Sequence, residues 1–279
     1  MFLEKLIERQ NPDGGWPHVR GKSATEPTAY AVLALLSAGA NDPAGRGAAW
    51  LRSVARADGG WPPQAGVDES TWVTALVALV PPERLGVRQY ERAIRWLLAT
   101  TGKESTPVHR LRQWLLGNRT PAELDRSGWP WTPGTAAWVA PTAVAVLALE
   151  KAALHGDSPA IRKRIAEGRE FLLSRACPEG GWNHGSVPDL SDHPKPYPEM
   201  TGLALAALRG VNGPEVQRGL AAARDFLKDC RSGEALNWLR LGLMAHGQLP
   251  AGYCPPEDAT YHTVPEVCLE TLARGGGLA

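Results

Sequence analysis

Two kinds of apolar segment alternate along the chain. Residues Thr28–Ala38, Val73–Val80, Thr142–Ala153 and Thr201–Leu208 are built mainly of Ala, Leu and Val, with charge only at Glu150 and Lys151. A helix that is apolar on every side is one that is buried all round. Buried strands are the competing reading, but Ala and Leu are good helix formers and a period of two is missing. The second kind, Arg46–Arg56, Val87–Thr100, Ala160–Arg175 and Glu215–Asp229, gathers charge on one face and predicts amphipathic helices. Helix starts are signalled at Thr120-Pro121-Ala122-Glu123, a capping box with Pro in the first turn, and at Ser158-Pro159. Buried helices alternating with half-exposed ones predict two concentric layers, an inner ring inside an outer ring. A closed ring of helical hairpins leaves no uncovered end, as an open solenoid would.

Composition sharpens this into a repeat. The chain has 11 Trp against 3 Phe and 5 Tyr, with 30 Gly and 24 Pro, so tryptophan is being used at recurring positions. Gly14-Gly15-Trp16, Gly59-Gly60-Trp61, Gly128-Trp129 and Gly180-Gly181-Trp182 recur at intervals of about 45 to 70 residues. Between them lie the pairs Trp50-Leu51, Trp96-Leu97, Phe171-Leu172 and Phe226-Leu227; the last belongs to a fifth copy that keeps only Trp238. Paired glycines let the chain turn in positive φ at a helix end. The following Trp then packs on the next hairpin while its indole N–H seeks an acceptor. Trp16, Trp61, Trp129 and Trp182 are thus expected to be staples.

Charge and motifs exclude several functions. A net charge of +1, from 30 Lys+Arg and 29 Asp+Glu, argues against a nucleic-acid partner. No apolar run reaches the ~18 residues of a spanning helix, and the first ten residues lack a signal-peptide core, so a cytoplasmic protein is expected. Cys177, Cys230, Cys254 and Cys268 are far apart, with no C-x-x-C. Phosphate-binding glycine loops and a Gly-x-Ser-x-Gly elbow are missing, and Asp189-x-x-Asp192 is only a fragment of an Asp-rich magnesium motif. No cofactor is therefore expected.

The repeat resembles a known one. Gln10-x3-Gly14-x-Trp16, Arg46-Gly47-x2-Trp50-Leu51-x3-Ala55-x3-Gly59-x-Trp61 and Gly168-x2-Phe171-Leu172-x3-Ala176-x3-Gly180-x-Trp182 are similar to the QW repeat of squalene–hopene and oxidosqualene cyclases. Ala55 and Ala176 stand where that repeat has Gln. The resemblance implies an all-α fold, the α/α toroid shared by class II terpene cyclases and protein prenyltransferase β subunits. It is expected here as a single domain over 1–279, with five to six hairpins and an insertion at about 102–126 that forms a lid or a spacer. It also implies a central apolar cavity and an isoprenoid-like ligand.

Class II cyclases carry an Asp-x-Asp-Asp-Thr-Ala motif whose middle Asp protonates an alkene or epoxide. Matching Thr71 to its Thr lays Val67-Asp68-Glu69-Ser70 over the acids, with Glu69 in the donor's place. Glu26-Pro27-Thr28 and Glu199-Met200-Thr201 repeat the Glu-x-Thr fragment. The longest inter-helix loop adds Asp189, Asp192, His184, His193 and Tyr197. Asp258-Ala259-Thr260-Tyr261-His262-Thr263 is similar to the late zinc-binding His segment of prenyltransferases, but its Asp-x-Cys companion is missing, so no metal is expected. Candidate catalytic residues are therefore Asp192, Glu199, Glu69, Asp68, Glu26 and His262. The inner helices begin at one end of the ring, so these side chains are expected to share a mouth, where one carboxyl keeps its proton near neutrality. Glu199 or Asp192 is the expected acid. Acid-initiated cyclisation or isomerisation is one reading; a non-catalytic isoprenoid binder or scaffold for a protein partner is the other, and a zinc prenyltransferase-like protein the third.

Overall fold

A computed structural model describes residues 2–106, 108, 111–112, 115–117, 127–185, 195–275 and 277. Among the described residues the helices are α1 (Phe2–Glu8), α2 (Thr25–Ser37), α3 (Asn41–Ser53), α4 (Val73–Val77), α5 (Pro82–Leu85), α6 (Val87–Ala99), α7 (Val139–His155), α8 (Pro159–Ser174), α9 (Pro198–Ala207), α10 (Pro214–Asp229), α11 (Gly233–Ala245) and α12 (Val264–Gly275). The inner ring runs α2–α4–α7–α9–α11–α12 and closes as α12 packs on α2. Outside it, α3 lies on α2, α6 on α4 and α7, α8 on α7, α10 on α9 and α11, and α1 on α12. The fold is an α/α toroid. No helix among the described residues is long and apolar enough to cross a membrane. The capping box at Thr120–Glu123 lies outside the described residues.

One local device builds four of the hairpins. The indole N–H groups of Trp16, Trp61, Trp129 and Trp182 donate to the carbonyls of Leu6, Leu51, Leu97 and Leu172 at 2.7, 2.7, 2.9 and 2.7 Å. These acceptors lie at or near the ends of the preceding outer helices, whose last carbonyls have no helical partner. The backbone N–H of each Trp donates to a threonine hydroxyl in the first turns of the next inner helix: Thr28, Thr74, Thr142 and Thr201, at 2.8, 2.8, 2.9 and 3.0 Å. The rings themselves are buried to 2% exposure or less. Space for them comes from glycine. A Cβ on Gly47, Gly168 or Gly219 of the outer helices would stand 2.7, 2.8 or 2.4 Å from Trp16, Trp129 or Trp182. The staple therefore ties outer helix, turn and inner helix together through one residue.

Gln10 adds a brace to the first copy, donating to the carbonyls of Gly14 (2.8 Å) and Pro43 (3.0 Å) and accepting from Arg46. At Ser158 the predicted cap is formed, its hydroxyl accepting from the Ile161 N–H at 3.2 Å. Helix α4 stops at Val77, one turn short of the predicted end at Val80.

Closure between α9, α11 and α12 works differently. Helices α9 and α11 cross in backbone contact, where a Cβ on Gly202 would be 2.2 Å from the Trp238 carbonyl carbon. No helix lies between α11 and α12; residues 246–263 cover them instead. Beneath that cover Arg240 (8% exposed) pairs with Glu270 (1% exposed) at 2.7 Å. Glu270 also accepts from Arg274 at 2.6 Å and from the Tyr261 hydroxyl at 2.9 Å.

Candidate functional site

The stapled inner helices α2, α4, α7 and α9 open on one end of the ring, because each staple places the start of a helix beside a Gly-Trp turn. A collar of backbone bonds fixes that mouth. The N–H groups of Thr25, Trp72, Val139 and Val264, at the starts of α2, α4, α7 and α12, donate to the carbonyls of Pro63, Trp131, His184 and His18 at 2.9, 2.9, 3.1 and 2.8 Å. Every acceptor stands two residues after a stapled Trp, so each turn also anchors the neighbouring repeat.

Glutamates gather inside the collar. Glu26 stands in the first turn of α2, Glu199 in that of α9, Glu234 in that of α11 and Glu266 in that of α12. Burial, with the charge of Glu234 adding to it, pushes the Glu26 carboxyl up to about 7. The helix dipole favours the ionised form here, so burial and like charge outweigh it. Glu234 is likewise raised by burial, then by Glu199 and Glu266. Glu266 closes a capping box with Thr263: its carboxylate accepts from the Thr263 N–H at 3.2 Å while the Thr263 hydroxyl accepts from the Glu266 N–H at 3.3 Å. Tyr30 lies one turn below Glu26 on the same helix and is 4% exposed. Burial and the charges of Glu26 and Glu234 push its phenol well above the ordinary range, so it stays protonated.

The His18 imidazole sits 3.9 Å from the Glu26 carboxylate, too far for a hydrogen bond. Burial lowers the His18 pKa while Glu26 is raised, so between the two values both groups are neutral. Glu26 thus offers a carboxylic acid that changes charge near 7, with Glu234 and a protonated Tyr30 close enough to feel it. That is the equipment for proton transfer.

The remaining sequence candidates are placed as follows. Asp68 is 97% exposed and pairs with Arg56 at 2.5 Å, and Glu69 is exposed beside it. Their register explains this. In Glu26-Pro27-Thr28 and Glu199-Met200-Thr201 the threonine is the one that holds the Trp backbone, whereas in the second repeat that threonine is Thr74, not Thr71. Trp72, rather than Glu69, therefore occupies the position of Glu26 and Glu199. His262 is exposed, and its backbone N–H donates to the Glu266 carboxylate. Asp192, with Asp189 and His193, lies outside the described residues. Tyr197, at the start of α9, packs at a tilt against His184 with ring centroids 5.2 Å apart. Trp72 and Trp131 meet edge to face at 4.9 Å where α4 begins.

Sequence reasoning missed Glu234, His18, Tyr30 and Glu266. The Thr263-x-x-Glu266 capping box was readable. Glu234 was hidden because the fifth copy lacks the Gly-Trp that marks an inner helix start.

Among the described residues no group of three or more His, Cys, Asp or Glu is arranged to hold a metal ion. Cys268 is fully buried and Asp258 pairs with Arg231 at 2.9 Å. At the other end of the ring a cavity of about 290 Å³ opens between the ends of α7, α9 and α11, lined by Leu79, Leu147, Leu241, Met244 and the ion-paired Glu150.

The sequence matches no protein-family model and no curated protein. The structure is similar to that of the endo-β-1,4-glucanase CMCax from Acetobacter xylinum, at 14% identity and a TM-score of 0.62, covering 99% of this chain and 97% of that one. It is also similar to the type II terpene cyclase MstE from Scytonema, at 17% identity and a TM-score of 0.57, covering 97% of this chain and 75% of that one. A novel α-amylase from Clostridium perfringens shares 10% identity at a TM-score of 0.64, covering 99% of this chain and 96% of that one. At these identities the likeness concerns the fold.

Proposed function

We propose that the mouth is an acid–base site in which Glu26 donates a proton to an isoprenoid or similar apolar substrate, initiating cyclisation or isomerisation. The observation that carries this is the Glu26 carboxyl, held near 7 by burial and by Glu234. An acid with its pKa near working pH combines a populated protonated form with a useful driving force for transfer. The proton adds to an alkene carbon or an epoxide oxygen, and the electron pair of the broken π or C–O bond leaves a positive carbon behind. The Glu234 carboxylate, whose charge reaches Glu26, would stabilise that positive carbon. Loss of a proton from the final cation to the Glu26 carboxylate restores the acid, so the reaction is redox-neutral and needs no co-reactant.

A second reading is favoured by the rim. Trp72 and Tyr197 stand at the starts of α4 and α9 and Trp131 in the turn before α7, and aromatic faces near carboxylic acids also suit a saccharide. Glu26 would then protonate the leaving glycosidic oxygen while a carboxylate partner guides water to the sugar carbon. The likeness to a glucanase and an α-amylase is compatible with this class.

Incubation with squalene, polyprenols, β-1,4-glucan and starch separates the readings, with products followed by mass spectrometry. Cyclised or isomerised hydrocarbon supports the first and shortened glycans the second. In either case Glu26→Gln abolishes turnover, and the parent rate falls as pH rises through about 7. Ligand retained without product from any substrate would leave a binding protein.

A further inference from the structure

We propose that the groove where α6 and α8 part over the end of α7 is a second ligand site, taking a small, neutral, apolar molecule whose oxygen accepts a hydrogen bond from the Tyr90 hydroxyl. The site is independent of the mouth. Helix α7 begins at the collar and runs for 17 residues, about 25 Å, before its last turn reaches the groove.

Three helices build the cavity. Its volume is about 680 Å³, within the ~300–1,000 Å³ of small-molecule pockets. The floor is apolar, with Ile94 of α6, Ala152 of α7 and Ile161 of α8 all buried. Tyr90 of α6 lies among them at 6% exposure, its ring edge to face with that of His155 at 6.0 Å between centroids. The Tyr90 hydroxyl oxygen is buried and makes no hydrogen bond among the described residues. A buried polar group without a partner is unfavourable, and a folded chain normally supplies one. Here the phenol lines a cavity instead, so a ligand can supply it.

The surroundings of that hydroxyl select the chemistry of the occupant. Burial, with the charge of Glu83 adding to it, pushes the Tyr90 phenol up to about 12, so it keeps its proton and donates. A pure hydrocarbon leaves this donor unpaired. A carboxylate or phosphate meets Glu83, Glu91 on the rim and the negative end of the α7 dipole. Arg95, one turn on from Glu91, is exposed and offsets only that one charge. A neutral alcohol, ether or ketone oxygen satisfies the phenol without this repulsion. Its hydrocarbon body then covers Ile94, Ala152 and Ile161.

The test is a saturation-transfer NMR titration of the full chain with 2-naphthol, 2-methylnaphthalene and 2-naphthoate. 2-Naphthol is expected to bind about tenfold more tightly than 2-methylnaphthalene, which has the same body without the oxygen, and 2-naphthoate more weakly than 2-naphthol. Tyr90→Phe, which keeps the ring, removes the preference: affinity for 2-naphthol falls about tenfold while that for 2-methylnaphthalene is unchanged. Without ligand, Tyr90→Phe should melt no lower than the parent, since the hydroxyl it loses has no partner among the described residues. Ala152→Leu fills the floor and weakens both ligands about tenfold or more; if it fails to fold, Tyr90→Phe decides. No binding of 2-naphthol, or equal affinity for it in the parent and Tyr90→Phe, overturns the inference. Tighter binding of 2-naphthoate than of 2-naphthol overturns it as well. Turnover at the mouth is expected to be the same in Tyr90→Phe and the parent, so the failure of either reading leaves the other standing.

Discussion

The stapled hairpins and the closing segment solve the same packing problem by different means. For Trp16, Trp61 and Trp182 the indole acceptor lies ten residues back, and only for Trp129, after the inserted segment, does it lie 32 back; the threonine partner of Trp16, Thr28, is twelve residues on. Between α11 and α12 the corresponding connection is a buried ion pair, Arg240–Glu270, joining residues 30 apart. The staple satisfies every polar atom locally and buries a large apolar ring. The ion pair requires two charges to be desolvated and is repaid only while both partners are present. A repeat can thus be copied along a chain, whereas closing the ring takes a solution made once.

The largest effects should come from breaking the staples. Trp182→Ala is expected to cost about 3–5 kcal/mol, because a buried aromatic is lost and the space above Gly219 opens. Chemical denaturation checks this, and a variant as stable as the parent would remove Trp182 from the framework. Arg240→Met follows, at about 3 kcal/mol, since it leaves Glu270 without its one buried cationic partner. The paired change Arg240→Met with Glu270→Leu should recover most of that loss, which no second substitution does for Trp182. If the double variant is as weak as the single, the contrast between the two regions fails.

Thr28→Val is smaller, about 1–2 kcal/mol, from the unpaired backbone N–H of Trp16. Ser158→Ala removes only a helix cap and should cost about 1 kcal/mol. Measured on one denaturation series, these four changes rank the sources of stability from aromatic staple to half-buried cap.

The same contrast explains what the amino-acid sequence discloses. Gly-Trp turns, buried Ala/Leu stretches and amphipathic helices are local patterns, so the double ring was legible from them. The mouth was legible in part: Glu26 and Glu199 were found because each stands two residues before a stapling threonine. Glu69 was grouped with them through Thr71, yet the hydroxyl that holds Trp61 belongs to Thr74, three residues later. A three-residue slip is nearly one helical turn, and the apolar pattern around it hardly changes. Glu234 carried no such marker, because α11 starts without a Gly-Trp and is positioned by the Thr260 carbonyl, which accepts from the Gly233 N–H at 2.9 Å. Its approach to Glu26 is a product of ring closure, over a separation no local pattern records.

Glu26 is where the two regions meet, on the first stapled helix but facing a carboxylate from the closing side. Its raised pKa is unfavourable to folding above the ordinary carboxylate range. The stability it permits is fully present below about 4.5 and is lost as pH rises through about 7. Glu26→Gln should therefore melt higher than the parent at pH 8 and close to it at pH 4.

The direct measurement is a carboxyl-carbon NMR titration of Glu26, assigned by comparison with Glu26→Gln and repeated in Glu234→Gln. A midpoint near 7 that falls when the Glu234 charge is removed is the predicted result. A midpoint near the ordinary 4.5, unchanged by Glu234→Gln, would contradict the account of an acid poised at the mouth of the ring.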